Sequence, residues 1–299
     1  MGSAVAAGDI LQLDVPVLQH ALGIAASRAG ALLANVGSMT KCTHCGQAAA
    51  SGLDAALLAT RGFTANADVL EAPKGFIATF YRDGFDESRL LAYGIPFRVI
   101  DPGLSIKLFP SQYGTHFAIT AGLELHGPIG GTGIERVRIV SPVMKYVDRP
   151  RPVSGLDGKF SLQYTAAAAL LDGKVGIESF SDERRFRPDM VDLLDRIVLT
   201  QDASIPGDFQ NMRLDIEADL RDGRRVDATC RALKGSPGVP LARPDHRAKV
   251  EDCLGRAMPL PRVTELIGLL DQLEMLDARG VKKVAGMLAG PSPPRTAVR

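Results

Sequence analysis

The spacing of apolar residues changes twice along this chain, and that double change limits the fold more than any other feature. Between Val17 and Leu33, the residues Leu18, Ala21, Leu22, Ile24, Ala25, Ala29 and Leu32 recur every three to four positions, which predicts a buried helix. His44–Arg61 predicts a second helix, rich enough in alanine to be approached on nearly every side, with Gly62 as its stop. Ala67–Leu70 and Gly75–Phe80 read as shorter helical pieces. Past Asp101-Pro102-Gly103 the texture shifts. Ser105–Phe109 reads as a strand, Glu135–Val140 alternates through Val137 and Ile139, and Leu214, Ile216, Ala218 and Leu220 meet Arg225–Cys230 across Asp222-Gly223, a hairpin signal. Helices are predicted over 115–125, 160–171 and 190–197. Beyond the Gly/Pro connector 234–245, the stretches 247–256, 261–276 and 281–288 return to helical spacing, and the Pro-rich tail 291–299 reads as frayed. Helices, a mixed block and helices again predict an α+β protein.

Composition narrows the partners. The 299 residues are 45% hydrophobic, enough for one or two domains with a substantial core. Lys plus Arg number 35 against 34 Asp plus Glu, with no block of one sign, so neither nucleic acid nor an anionic membrane is an expected partner. An anionic ligand would be small and met by a few placed cations. Four Cys do not make a disulfide framework, and a reducing cytoplasm is the expected compartment. The N-terminal stretch, interrupted by Asp9 and Asp14, does not read as a secretory leader, and no run approaches a membrane span.

Two motifs lose their first appeal on inspection. Cys42-Thr43-His44-Cys45 lacks the second ligand pair of a zinc site, which leaves two small side chains where a helix begins. Gly127–Gly133 lacks the Gly-Lys-Ser/Thr ending of a phosphate loop and has Arg136 where a dinucleotide fingerprint needs glycine, so it reads as a turn before a strand. Three clusters carry more. Gly37–Gly46 puts Lys41 and His44 at the entrance of the Ala-rich helix, an arrangement suited to a carboxylate. Lys107–His116 delivers Lys107, the Gln112 amide and His116 within one loop ahead of a helix. Gly158–Tyr164 brings Tyr164, which is either a proton donor or a packed aromatic with its hydroxyl satisfied. Taken singly, each of these side chains reads as an ordinary surface or packing residue.

Together they resemble the MmgE/PrpD family. GSMTKCTHCGQAAASGLDAALLATRGFT is similar to that family's Met-Thr-Lys-x-x-His-x-Gly-x-Ala-Ala segment, KLFPSQYGTH to its Lys-x-aromatic-Pro…Thr-His segment, and FSLQYTAAAALLDGKV to its Phe-Ser-x-x-Tyr segment. GSPGVPLARPDHRAKV resembles its late Gly-x-Pro-x-x-Pro…Lys connector, and the four occur in the family's order. The resemblance implies a mostly helical domain, 1–103 with a return segment 238–299, an inserted smaller α+β lid domain, 104–237, and an active site between them. It implies a cofactor-independent lyase, without metal, acting on a small di- or tricarboxylate as a homodimer. Lys107, His116 and Tyr164 would carry the chemistry, with His116 and Tyr164 as acid and base, while Lys41, His44 and Gln112 would bind substrate. A 2-methylcitrate dehydratase-like hydro-lyase of propionate metabolism is the first expectation. The alternatives are a cis-aconitate decarboxylase-like or iminodisuccinate epimerase-like enzyme, or a truncated, non-catalytic binding module. Two departures bear on the choice. Gln112 stands where the decarboxylase branch carries His, whereas Thr40 stands where dedicated methylcitrate dehydratases tend to carry Trp. The family's additional N-terminal helices, with further active-site Asp and His residues, are expected to have no counterpart here.

Overall fold

The computed structural model describes residues 1–81 and 84–289, so the reading of the tail 291–299 lies outside the described residues. The chain divides into two compact units, Met1–Phe97 and Arg98–Arg299.

The first unit is built on three helices, α1 (Gly2–Ile10), α2 (Val15–Ser27) and α3 (Met39–Ala59), followed by the short α4 (Phe76–Phe80) and α5 (Glu87–Leu91). Its core is alanine: Ala4, Ala7, Ala21, Ala25, Ala55, Ala56 and Ala59 pack with Ile24. Small side chains bring the helix axes close. A Cβ on Gly52 of α3 would lie 2.7 Å from the Ala4 nitrogen, and one on Gly23 of α2 would lie 2.5 Å from Ala65 Cβ. Asp14 starts α2 by accepting the Val17 N–H at 3.0 Å, with Pro16 preset for the first turn. The third helix begins at Met39, several residues before the apolar pattern becomes visible, so Lys41 and His44 lie within its first two turns instead of ahead of them. Ala67–Leu70 forms turns and not a helical piece, a correction to the pattern-based reading.

The second unit places α6 (Thr115–Ile129), β1 (Ile134–Ser141), α7 (Gly155–Gly158), α8 (Leu162–Asp172), α9 (Asp182–Arg185), α10 (Pro188–Leu194), β2 (Ile197–Gln201), β3 (Leu214–Leu220) and β4 (Arg225–Cys230) around one core. The sheet order is β2-β1-β3-β4, with β1 parallel to β2 and the other pairs antiparallel. In β3 the predicted alternation holds: Leu214, Ile216, Ala218 and Leu220 are buried, and the intervening acids turn outward. There Asp219 pairs with Arg138 at 2.8 Å and with Arg225 at 2.7 Å. The β3–β4 turn is made by Asp222-Gly223, whose glycine adopts φ +87°, a left-handed conformation that suits a tight hairpin. Gly127–Ile129 is the last turn of α6, capped by left-handed Gly130 before β1.

Further readings need correction: the helix expected to run to Leu33 ends at Ser27, and the one expected over 261–276 ends at Leu270. Ser105–Phe109 is not a strand: the Ile106 N–H donates to the Gly235 carbonyl at 2.8 Å, and the segment lies outside the sheet ladder. The helix expected over 190–197 stops at Leu194, and Ile197 opens β2 by pairing with Val137. The same unit holds α11 (Arg243–Leu254), α12 (Leu260–Leu270) and α13 (Ala278–Leu288). Asp252 of α11 accepts the Ile177 N–H at 3.1 Å, and Leu266, Val284 and Met287 close a small core of their own. No helix among the described residues is long and apolar enough to cross a membrane.

The contact between α6 and α8 leaves no room to spare: a Cβ on Gly122 would meet Ala169 Cβ at 2.8 Å and the Ala166 carbonyl at 3.2 Å. Gly122→Val should therefore destabilise the protein by about 1–3 kcal/mol through overpacking. Gly127→Ala, on the same helix but with nothing within 4 Å, should leave stability unchanged or raised by up to about 1 kcal/mol. Urea unfolding followed by circular dichroism measures both, and equal midpoints for the two variants would disprove the close approach.

Candidate functional site

The loop before α6 is tied down at nearly every residue. The Gln112 N–H donates to the Lys159 carbonyl at 2.9 Å, and the Gln112 side-chain oxygen accepts the Gly114 N–H at 2.6 Å. Thr115 Oγ1 donates to the Gln112 carbonyl at 2.7 Å and lies 2.8 Å from Ser111 Oγ. Lys107 Nζ donates to the Ser111 carbonyl at 3.3 Å, which folds its charge back over the loop. A side chain at position 114 would meet Gln112 Oε1 at 3.0 Å, Met144 Sδ at 3.2 Å and the Tyr146 hydroxyl at 3.3 Å, so glycine is needed there by proximity.

His116 enters this loop from the first turn of α6 and is 2% exposed. Its ring stands edge-on to Phe109 at 5.3 Å and beside Tyr113 at 5.2 Å. The Nε2 atom has no hydrogen-bond partner, an uncommon state for a buried polar atom and one that invites a ligand. Burial, followed by the nearby Lys107 charge, pushes the imidazole down to about 4, while the carbonyls of Ser111 and Phe109 oppose the shift. At neutral pH the ring is therefore uncharged and able to accept a proton. An anion entering beside Lys107 would offset that cation and favour the imidazolium.

Tyr164 sits elsewhere in the second unit. Ser161 caps α8 by accepting the Tyr164 N–H at 2.9 Å, and the ring is fully buried, with Phe180 6.0 Å away. Gly158 lies against it so closely that a Cβ would fall 2.6 Å from the ring. The hydroxyl donates to the Ser179 carbonyl, and burial raises it to about 12. Its proton is thus engaged by the backbone, as in the packed-aromatic alternative. Tyr146 is a hydroxyl that sequence reasoning passed over. It is about half exposed, its hydroxyl donates to Met144 Sδ at 3.6 Å, and a Cβ on Gly114 would meet both this hydroxyl and Gln112 Oε1, so the loop after β1 brings it to the same spot.

Lys41 and His44 belong to the first unit, with Lys41 exposed and His44 partly so. No residue of α3 before Gly52 is buried. The structure thus groups Lys107, Gln112 and His116 in one loop, sets Lys41 and His44 one turn apart on α3, and leaves Tyr164 in the core. Two open surface depressions among the described residues, of 510 Å³ around Tyr81, Asp86 and Arg89 and of 270 Å³ around Asp172, Ser179 and Arg184, are lined by none of these six.

The His116 shift has a thermodynamic consequence. An unfolded chain takes up the proton below pH 6.5, whereas the folded one resists until about 4, so this residue's contribution is intact above 6.5 and drains away as pH falls. Between pH 7 and pH 5 the loss should be about 2 kcal/mol. His116→Leu should remove that part of the pH dependence in urea titrations. The chain has no Trp, so circular dichroism is the natural probe. Parallel pH profiles for the two proteins would mean that the buried imidazole is not proton-resistant.

The model of the MmgE/PrpD C-terminal domain matches residues 109–272, and that of the MmgE/PrpD N-terminal domain matches residues 1–88. The cis-aconitate decarboxylase of Homo sapiens is 31% identical over 304 residues, covering 99% of this chain and 63% of the relative. That of Mus musculus is 30% identical over 300 residues, covering 98% and 61%. One from Aspergillus terreus is 25% identical over 297 residues, covering 91% and 60%. This chain therefore spans about three fifths of the length of these curated relatives. With a domain model matched over more than half of its residues and both domain types present in order, the chain belongs to the MmgE/PrpD family.

Proposed function

We propose that this chain serves a lyase reaction on a small polycarboxylate, with decarboxylation of cis-aconitate or a close analogue as the favoured chemistry. The observation that carries the reading is the buried, unpartnered Nε2 of His116 beside the Lys107 cation, in a chain whose relatives are named cis-aconitate decarboxylases. Those names support the reading that sequence analysis set second, ahead of 2-methylcitrate dehydration.

Decarboxylation breaks a carbon–carbon bond and leaves its electron pair on the substrate as CO2 departs. In an unsaturated tricarboxylate that pair shifts through the double bond toward a remaining carboxylate, where negative charge accumulates. Preorganised cations stabilise such charge most where it develops, and Lys107 fills this role beside His116; the family resemblance assigns Lys41 and His44 to carboxylate binding. The carbanion must then be protonated. His116, neutral in the free protein, gains its proton as the bound anion offsets Lys107 and passes it to carbon. Gln112 contributes hydrogen bonds without charge, and Tyr164 supports the core behind the loop. No electron is gained or lost overall, so the reaction calls for no redox cofactor.

Dehydration remains the second reading, favoured by the resting state of His116. Removal of a proton alpha to a carboxylate needs a base, and a neutral imidazole held near a cation is one.

Product analysis by NMR in D2O separates these readings. Decarboxylation releases CO2 and places one deuterium on the product, whereas dehydration of 2-methylcitrate releases none. His116→Gln should lower turnover by roughly 10²–10⁴ with the fold preserved. Lys41→Ala should weaken binding of cis-aconitate by about 1.5–3 kcal/mol, the worth of one charge-assisted contact. Unchanged turnover and affinity in both variants would remove these residues from the site.

A further inference from the structure

Cys42 and Cys45 are both exposed, three residues apart on α3, in the same two turns as Lys41 and His44. The other two cysteines offer no such pairing: Cys230 is buried in β4 with its thiol pushed up to about 11, and Cys253 is on α11 in the other unit. We propose that Cys42 and Cys45 form a redox modification site, a dithiol that a small disulfide oxidant of the glutathione type closes into an intrahelical disulfide, weakening carboxylate binding by Lys41 and His44.

Helix geometry sets residues three apart at a Cα separation of about 5 Å, inside the roughly 4.4–6.8 Å range of disulfides. Their Cβ atoms stand about 5–6 Å apart against the roughly 3.8 Å a disulfide needs, so closure must draw the turn together. Two features make that deformation accessible here. The amino-terminal half of α3 has no buried residue before Gly52, so no core opposes the movement. Gly46 follows Cys45 directly, and glycine weakens a helix interior. A disulfide closed under such strain is readily reduced, as suits a reversible modification and not a structural bridge.

The chemistry balances without a metal. One Cys thiolate attacks glutathione disulfide, giving a mixed disulfide and one glutathione thiol. The second Cys then displaces the other glutathione, so two protein thiols lose two electrons and two protons while the oxidant becomes two thiols. Pulling the turn together re-aims both His44, which lies between the cysteines, and Lys41, which precedes them.

The effect on carboxylates rests on the reading given under Proposed function; the bond itself does not. The reduced protein is equilibrated with glutathione buffers of graded oxidation, and peptides are mapped by mass. The expected product is a Cys42–Cys45 cross-link two mass units lighter than the dithiol, reversed by excess reduced glutathione. Cys42→Ser and Cys45→Ser should instead trap a single mixed disulfide on the remaining thiol. Stable mixed disulfides on both Cys42 and Cys45 in the wild type, or no reaction at either, would overturn the proposal, whatever forms on the exposed Cys253. Calorimetry with cis-aconitate then compares reduced and oxidised protein. Affinity should fall about tenfold or more on oxidation, and not in the double variant Cys42→Ser/Cys45→Ser, which has neither thiol. Equal affinity in both forms overturns the switch. Failure of the reduced protein to bind any polycarboxylate counts against the functional reading instead, with the cross-link judged separately by its mass.

Discussion

The second unit depends on how closely two helices can approach. Gly122 on α6 faces Ala166 and Ala169 on α8, and this absence of side-chain bulk sets the separation of the two helices. With that contact in place, both helices join one core with the inward residues of β1 and β3. The loop that precedes α6 and the turn that precedes α8 are then anchored by their own helices, and the Gln112 N–H bond to the Lys159 carbonyl ties one to the other. Candidate chemistry in this unit is therefore positioned by a packing constraint more than by a polar network.

Electrostatics act on that frame. Burying His116 among Phe109 and Tyr113 costs the charged imidazolium its hydration, and placing Lys107 nearby adds to the penalty. Such a shifted, buried titratable group is the kind of feature that proton-transfer sites concentrate. Tyr164 is the useful contrast. It is equally buried, but its hydroxyl has a backbone acceptor, so burial there serves packing. Two buried polar rings in one core differ in whether the last polar atom is satisfied.

Legibility from the sequence followed the range of the interactions involved. Elements stabilised by local pattern were readable: the alternation of β3, the Asp222-Gly223 hairpin, and the helices around Ala21 and Ala166. Elements that exist only through distant partners were not. Ser105–Phe109 has strand-like residues but no ladder to join, and Ile197–Gln201 becomes a strand because β1 offers it a parallel edge. The start of α3 was misplaced because Met39–Cys45 carries no apolar stripe, and none of those residues is buried.

The motifs themselves, Lys41 through His44, Lys107 through His116 and Phe160 through Tyr164, were enough to indicate the family, because residue identity in order is a property of sequence alone. Identity did not say which side chains share an environment. That Lys107 folds back onto the Ser111 carbonyl, that Nε2 of His116 is buried without a partner, that Tyr146 comes beside this loop and that Tyr164 gives its proton to Ser179 were decided by the tertiary structure. The physical reason is that solvation and hydrogen-bond satisfaction depend on what surrounds an atom in space, and the chain brings those surroundings from positions far apart in sequence.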